Sequence, residues 1–123
     1  MKIGVDLVDV ARLGRALQTA PALAPRTFSK EELRAAEAFG QDRRTEFLAG
    51  RFAAKEAVMK ALGLGLADGV SFTEVECRQA PDGAAYLALS GKALAAAESQ
   101  RLSEYRVSIS HERALAIAFV VLA

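Results

Sequence analysis

Apolar positions along this chain change period several times, and each change marks an element. Residues 3–8, IGVDLV, are apolar but for one aspartate and read as a buried strand. Val10, Leu13 and Leu17 then follow helical spacing behind Asp9, an N-cap type, and Pro21 and Pro25 end that helix in a loop from Ala20 to Phe28. Ser29 with Glu32 forms a capping-box pattern that opens a short helix stopping near Gly40. Asp42 to Thr45 begins the longest helix. There Phe47, Leu48, Phe52, Val58, Met59 and Leu62 keep a stripe, with alanines between, until Gly63 supplies the stop.

Beyond that stop the period shortens to two. Phe72 to Gln79 and Ala85 to Leu89 read as strands joined by a Pro81-Asp82-Gly83 turn. Gly91 to Leu102 is an alanine-rich helix, and Tyr105 to Ser110 and Leu115 to Leu122 are alternating strands separated by His111-Glu112-Arg113. The order predicts an α+β fold with a mostly antiparallel sheet packed on a long central helix.

Composition narrows the class. With 123 residues, 52% hydrophobic and 25% charged, the chain is sized for one compact domain. Its longest apolar run, ALAIAFVVLA, is too short to span a bilayer, and MKIGVDLV lacks a signal-peptide pattern, so a cytoplasmic protein is expected. The single cysteine, Cys77, alternates with Val75 and reads as a small core residue. A net charge of +1 conceals two basic groups: Arg12, Arg15 and Arg26, then Arg43, Arg44, Arg51, Lys55 and Lys60. Such groups suit phosphates or acidic partners, or form a solvated face balanced by Glu31, Glu32, Glu37 and Glu46.

Two carboxylates stand out chemically. Asp6 interrupts an apolar strand and Glu56 sits on or beside the apolar face of the long helix. Burying either without a partner would cost several kcal/mol. Glu56 and Lys60 could simply form a surface pair worth about 0.3–0.5 kcal/mol. If Asp6 and Glu56 instead converge, they supply hard oxygen ligands suited to Mg²⁺, with Lys55 and Lys60 available to phosphate oxygens and the glycines after the helix allowing close backbone approach to a diphosphate. KALGLG is not a Walker sequence, Ser108 and Ser110 lack a nucleophile elbow, and one histidine with one cysteine is no zinc set.

Three blocks then read together: IGVDLVDVARL at 3–13, FLAGRFAAKEAVMKALGLG at 47–65 and VSISHERALAIAFVVLA at 107–123. In this order they resemble the holo-acyl-carrier-protein synthase type of 4′-phosphopantetheinyl transferase over essentially the full length. The resemblance implies transfer of 4′-phosphopantetheine from coenzyme A to a serine of apo acyl carrier protein, a step serving fatty-acid biosynthesis, with adenosine 3′,5′-bisphosphate released. It implies that Asp6 and Glu56 hold Mg²⁺ and, with Lys60, form the catalytic set, and that Lys60 contacts phosphate and His111 lies near the coenzyme. Arg43, Arg51, Lys55, Gly63 and Gly65 become candidates for the nucleotide end, and Arg12 and Arg26 for the acidic carrier. It further implies a homotrimer with sites between subunits. Either Glu56 or a metal-bound water would be the base. Two positions depart from the pattern: Leu64 replaces a frequent threonine, and Phe52 a frequent tryptophan. Another Mg²⁺-dependent diphosphate transferase would share Asp6, Glu56 and Lys60 but leave Arg12 and Arg26 unexplained. A non-catalytic module reading acidic protein or nucleic acid through Arg43, Arg44 and Arg51 is the other class; the near-neutral charge counts against nucleic acid.

Overall fold

The computed structural model describes residues 1–123. Strand β1 (Lys2–Asp9) ends where Asp9 caps α1 (Val10–Thr19), its carboxylate accepting the Arg12 amide at 2.9 Å. Two short helices, α2 (Leu23–Thr27) and α3 (Lys30–Ala36), lead into α4 (Gln41–Leu62). A hairpin, β2 (Val75–Gln79) and β3 (Ala85–Leu89), precedes α5 (Gly91–Ser99) and the strands β4 (Tyr105–His111) and β5 (Leu115–Leu122). The main sheet has the order β1-β5-β4 and is antiparallel throughout, while β2 and β3 pair only with each other.

Most expected elements are present, with local differences that have physical causes. The expected loop at 20–28 contains α2, because Pro25 falls in the first turn of that helix, where a missing amide proton is tolerated. The strand expected from Phe72 starts at Val75. Phe72–Glu74 is instead a 3-10 turn opened by a second capping box, Ser71 with Glu74, the same spacing as Ser29 with Glu32. Gly63 ends α4 with φ of +73°, as the stripe predicted.

The strand at 3–8 is not buried on both faces. Gly4 and Val8 are buried, and Asp6 shares their side of the strand, which faces α4; Ile3, Val5 and Leu7 are exposed on the other side. β5 repeats the division, with Ala116, Ala118 and Val120 buried and Leu115, Ile117 and Phe119 exposed. Register pairs Val5 with Phe119 and Leu7 with Ile117, so the exposed residues form one continuous apolar face. Behind the sheet, α4 is enclosed: 13 of its 22 residues are buried, many of them alanine. A Cβ on Gly4 would lie 2.0 Å from the Ala57 carbonyl oxygen, so strand and helix meet backbone to backbone.

A buried ion pair joins α3 to α4. The Lys55 ammonium lies 2.7 Å from Glu32 Oε1, with both side chains fully buried, and donates to the Phe72 and Val75 carbonyls. Glu32 in turn accepts the Ser29 amide at 2.8 Å and the Cys77 amide at 3.0 Å. Burial pushes the Lys55 ammonium below its ordinary value, and Glu32 opposes that shift. This corrects two expectations: Glu32 is not a solvated counter-charge, and Lys55 is not available to a phosphate. Cys77 is buried beside the pair, as expected of a core residue. Lys55→Met leaves Glu32 charged and unpaired, so urea unfolding is expected to show a loss of about 3–5 kcal/mol. Adding Glu32→Gln is expected to restore part of it; a single variant as stable as the parent would contradict the network.

Candidate active site

Register sets the first group. Asp6 lies opposite Ala118 on the helix side of the sheet, and Lys60 sits one helical turn beyond Glu56 on α4. The Lys60 ammonium is 2.7 Å from Asp6 Oδ1 and also donates to the Val5 carbonyl at 3.4 Å. Lys60 therefore pairs with Asp6, where helix spacing alone offered Glu56. Its bond to Asp6 raises the ammonium above its ordinary value. Glu56 is half-buried, and its carboxyl is raised by burial first and by the Asp6 charge second, with Lys60 opposing both. Asp6 is thus close enough to disfavour the Glu56 charge, and the Lys60 ammonium bonds to Asp6 rather than to Glu56.

That set has a definite chemistry. No group of three or more His, Cys, Asp or Glu side chains gathers in the chain. A divalent ion at Asp6 and Glu56 would therefore take its remaining ligands from water or from a phosphate-bearing molecule. Two carboxylates with the rest water and phosphate is the donor set of Mg²⁺, so the residues fit that ion.

A second group lies toward the N-terminal half of α4. Arg43, Phe47, Arg51, Ser108 and His111 line a cavity of about 450 Å³. The Arg51 guanidinium stacks 4.1 Å from the Phe47 ring centre, and its Nε is buried with no hydrogen-bond partner. Arg43 lies 5.5 Å from the Phe39 ring centre, and those two phenylalanine rings pack 5.2 Å apart. His111 Nδ1 is 2.6 Å from Glu46 Oε1. Two guanidiniums, one with an unspent donor, and an imidazole make an anion-binding lining. From a rise of about 1.5 Å per residue, Arg43 lies about 20 Å and Arg51 about 7.5 Å from Glu56 along the helix axis.

The remaining candidates sort by geometry. Arg12 and Arg26 are exposed and neither forms an ion pair. Arg15 and Arg43 border a larger groove of about 1190 Å³ between α1, the start of α4 and the β4–β5 turn. In the glycine turn, Gly63 donates to the Lys60 carbonyl, Leu64 to the Met59 carbonyl and Gly65 to Asp68 Oδ2. Its amides are therefore already used, and Gly63 and Gly65 provide room rather than donors. Sequence reasoning passed over Glu46, counted there among balancing charges. The available signal was that the only histidine, in a chain with many carboxylates, needs an acceptor.

Residues 2–119 match the family model described as the 4′-phosphopantetheinyl transferase superfamily. The chain belongs to this superfamily. A holo-acyl-carrier-protein synthase of Salinispora arenicola is 43% identical over 119 residues, covering 97% of this chain and 94% of the relative. Among solved structures, a holo-acyl-carrier-protein synthase of Bacillus anthracis in complex with CoA (3′,5′-ADP) superposes with a TM-score of 0.80 at 35% identity, covering 98% and 94% of the two chains. The Neisseria meningitidis synthase gives 0.85 at 35%, covering 99% and 97%. The superfamily match spans both groups of side chains, Asp6 with Glu56 and Lys60, and Arg43 with Arg51 and His111.

The raised carboxyl of Glu56 has a consequence for stability. The folded chain holds this proton to higher pH than the unfolded chain, so ionising Glu56 opposes folding. The penalty is absent well below the ordinary value of 4.5, where Glu56 is protonated in both states, grows as pH rises from that value to the folded one, and is complete above it. Glu56→Gln is thus expected to raise the melting temperature of the metal-free protein at neutral pH, with the gain shrinking toward pH 4.5. Calorimetry across that range checks this; a pH-independent gain, or a loss at neutral pH, contradicts it.

Proposed function

We propose that this chain transfers the 4′-phosphopantetheine group from coenzyme A to a serine hydroxyl of an apo acyl carrier protein, within fatty-acid biosynthesis in the cytoplasm. The observation that carries the reading is the convergence of Asp6, Glu56 and Lys60 in a chain 43% identical to a holo-acyl-carrier-protein synthase over nearly its whole length. Asp6 and Glu56 would hold Mg²⁺, which when bound withdraws charge from the diphosphate. Lys60, drawn off Asp6, neutralises a phosphate oxygen. Arg43, Arg51 and His111 take the nucleotide end. Glu56 accepts the hydrogen of the attacking hydroxyl. The serine oxygen bonds to the β-phosphorus, the bond from that phosphorus to the bridging oxygen breaks, and adenosine 3′,5′-bisphosphate leaves with the electron pair.

Incubation with apo acyl carrier protein, coenzyme A and Mg²⁺ is expected to add one phosphopantetheinyl mass to the carrier, and EDTA is expected to abolish the gain. Asp6→Asn is expected to lower kcat/KM by about 100-fold or more in a folded protein. Arg12→Glu is expected to raise KM for the carrier far more than KM for coenzyme A, because Arg12 and Arg26 meet an acidic partner. No mass gain with several carriers, or a fully active Asp6→Asn, would remove the assignment.

A homotrimer with sites between subunits accounts for two further features. Ile3, Val5, Leu7, Leu115, Ile117 and Phe119 are between 38% and 63% exposed on one sheet face, a patch that needs cover. Arg43, about 20 Å from Glu56 along α4, would face the carboxylates of another copy across a boundary between copies. Ile117→Asp is expected to shift the light-scattering mass from three chains toward one and to suppress transferase activity while the helical circular dichroism persists. A trimer that survives this change would count against the sheet face as the boundary.

A further inference from the structure

We propose that Glu46 is a positioning residue. It fixes which nitrogen of His111 faces the Arg43–Arg51 cavity, and so how tightly that cavity holds the 3′-phosphate of coenzyme A; this rests on the reading that the cavity takes the nucleotide end. The seat for the ring comes from sequence. His111 ends β4 directly over the α4 turn from Glu46 to Gly50. A Cβ on Gly50 would lie 2.8 Å from Ile109 Cγ2 and 3.8 Å from His111 Cδ2, so the missing side chain is what lets the end of β4 settle on the helix. There His111 Nδ1 meets Glu46 Oε1 at 2.6 Å, and Glu46 makes no ion pair with Arg43 or any other arginine.

A carboxylate accepts and cannot donate, so Nδ1 keeps its hydrogen whether the ring is neutral or charged. The nitrogen left for the cavity is therefore Nε2, in a fixed orientation. In the imidazolium it donates, and a phosphate there meets three cationic groups: His111, Arg43 and Arg51, whose Nε lacks a partner. Without Glu46 nothing on α4 chooses the tautomer. The ring, with 37% of its side chain exposed, can then turn its nitrogens to water.

The test compares coenzyme A with 3′-dephospho-coenzyme A in the wild type, Glu46→Ala and Glu46→Gln. Glu46→Ala is expected to raise KM for coenzyme A about tenfold, the loss of one charge-assisted hydrogen bond, with the effect on KM rather than kcat. KM for the dephospho substrate is expected to move by less than about twofold, since the phosphate that His111 serves is missing. Glu46→Gln keeps an acceptor for Nδ1 and is expected to recover part of the loss. Nitrogen-15 spectra of the single histidine are expected to show the Nδ1–H tautomer in the neutral ring of the wild type and of Glu46→Gln, and a mixture in Glu46→Ala. Equal KM changes for both substrates, or one tautomer in all three proteins, would overturn the proposal. A wild type that discriminates between the substrates and a Glu46→Ala that discriminates equally well would overturn the role of Glu46 while leaving the cavity reading standing. A wild type that does not discriminate would overturn both.

Discussion

The close crossing of β1 over α4 is the constraint on which the rest of this structure depends. Gly4 has no room for even a methyl group against the Ala57 carbonyl, and the helix answers with Ala53, Ala54, Ala57 and Ala61, all buried. Buried Ala116 and Ala118 give β5 a similarly small surface on the same side of the sheet. Small side chains on both surfaces bring the sheet down onto the helix, and dispersion contacts favour that approach. The approach is also what brings Asp6, two residues past Gly4, within 2.7 Å of Lys60. A bulkier interface would hold the carboxylates apart.

The same helix carries two lysine–carboxylate pairs with opposite characters. Lys55 and Glu32 are fully buried, and backbone groups saturate both. A fully satisfied buried pair ties elements together, here α3, α4 and β2, and is not open to a ligand. Lys60 with Asp6, five residues on, keeps its side chain 58% exposed and satisfies only part of the carboxylate charge nearby. Glu56 bears the remainder as a raised carboxyl. One pair consolidates the fold, and the other leaves charge available for chemistry at some expense in stability.

The sheet's other face shows a complementary economy. Its inner side is finished with small residues, while its outer side carries Ile, Val, Leu and Phe facing water in the single chain. Monomers rarely leave such a patch bare. At its margin the strand character turns polar: Arg106, Ser108 and Ser110 of β4 stand opposite Val121, Phe119 and Ile117. The apolar area is therefore bounded, as the core of an interface is bounded by its rim.

Sequence by itself determined most element types, because period, caps and stops are local: Asp9, Ser29 and Gly63 act where the pattern located them. It also identified Asp6 and Glu56 as charges at odds with their surroundings, and the three blocks that carry the family resemblance. It misjudged what depends on the third dimension. The strand at 3–8 looks doubly buried because an apolar run records hydrophobicity and not which face a single chain covers. Lys55 and Lys60 are the same residue type five positions apart, and α3 packing over one and solvent over the other decided that the first is enclosed and the second open to a ligand. Glu46 became a partner of His111 across 65 residues, a distance no local pattern spans. Tertiary structure decided these because burial and long-range pairing are set by which surfaces meet, and a sequence read along one dimension does not contain that meeting.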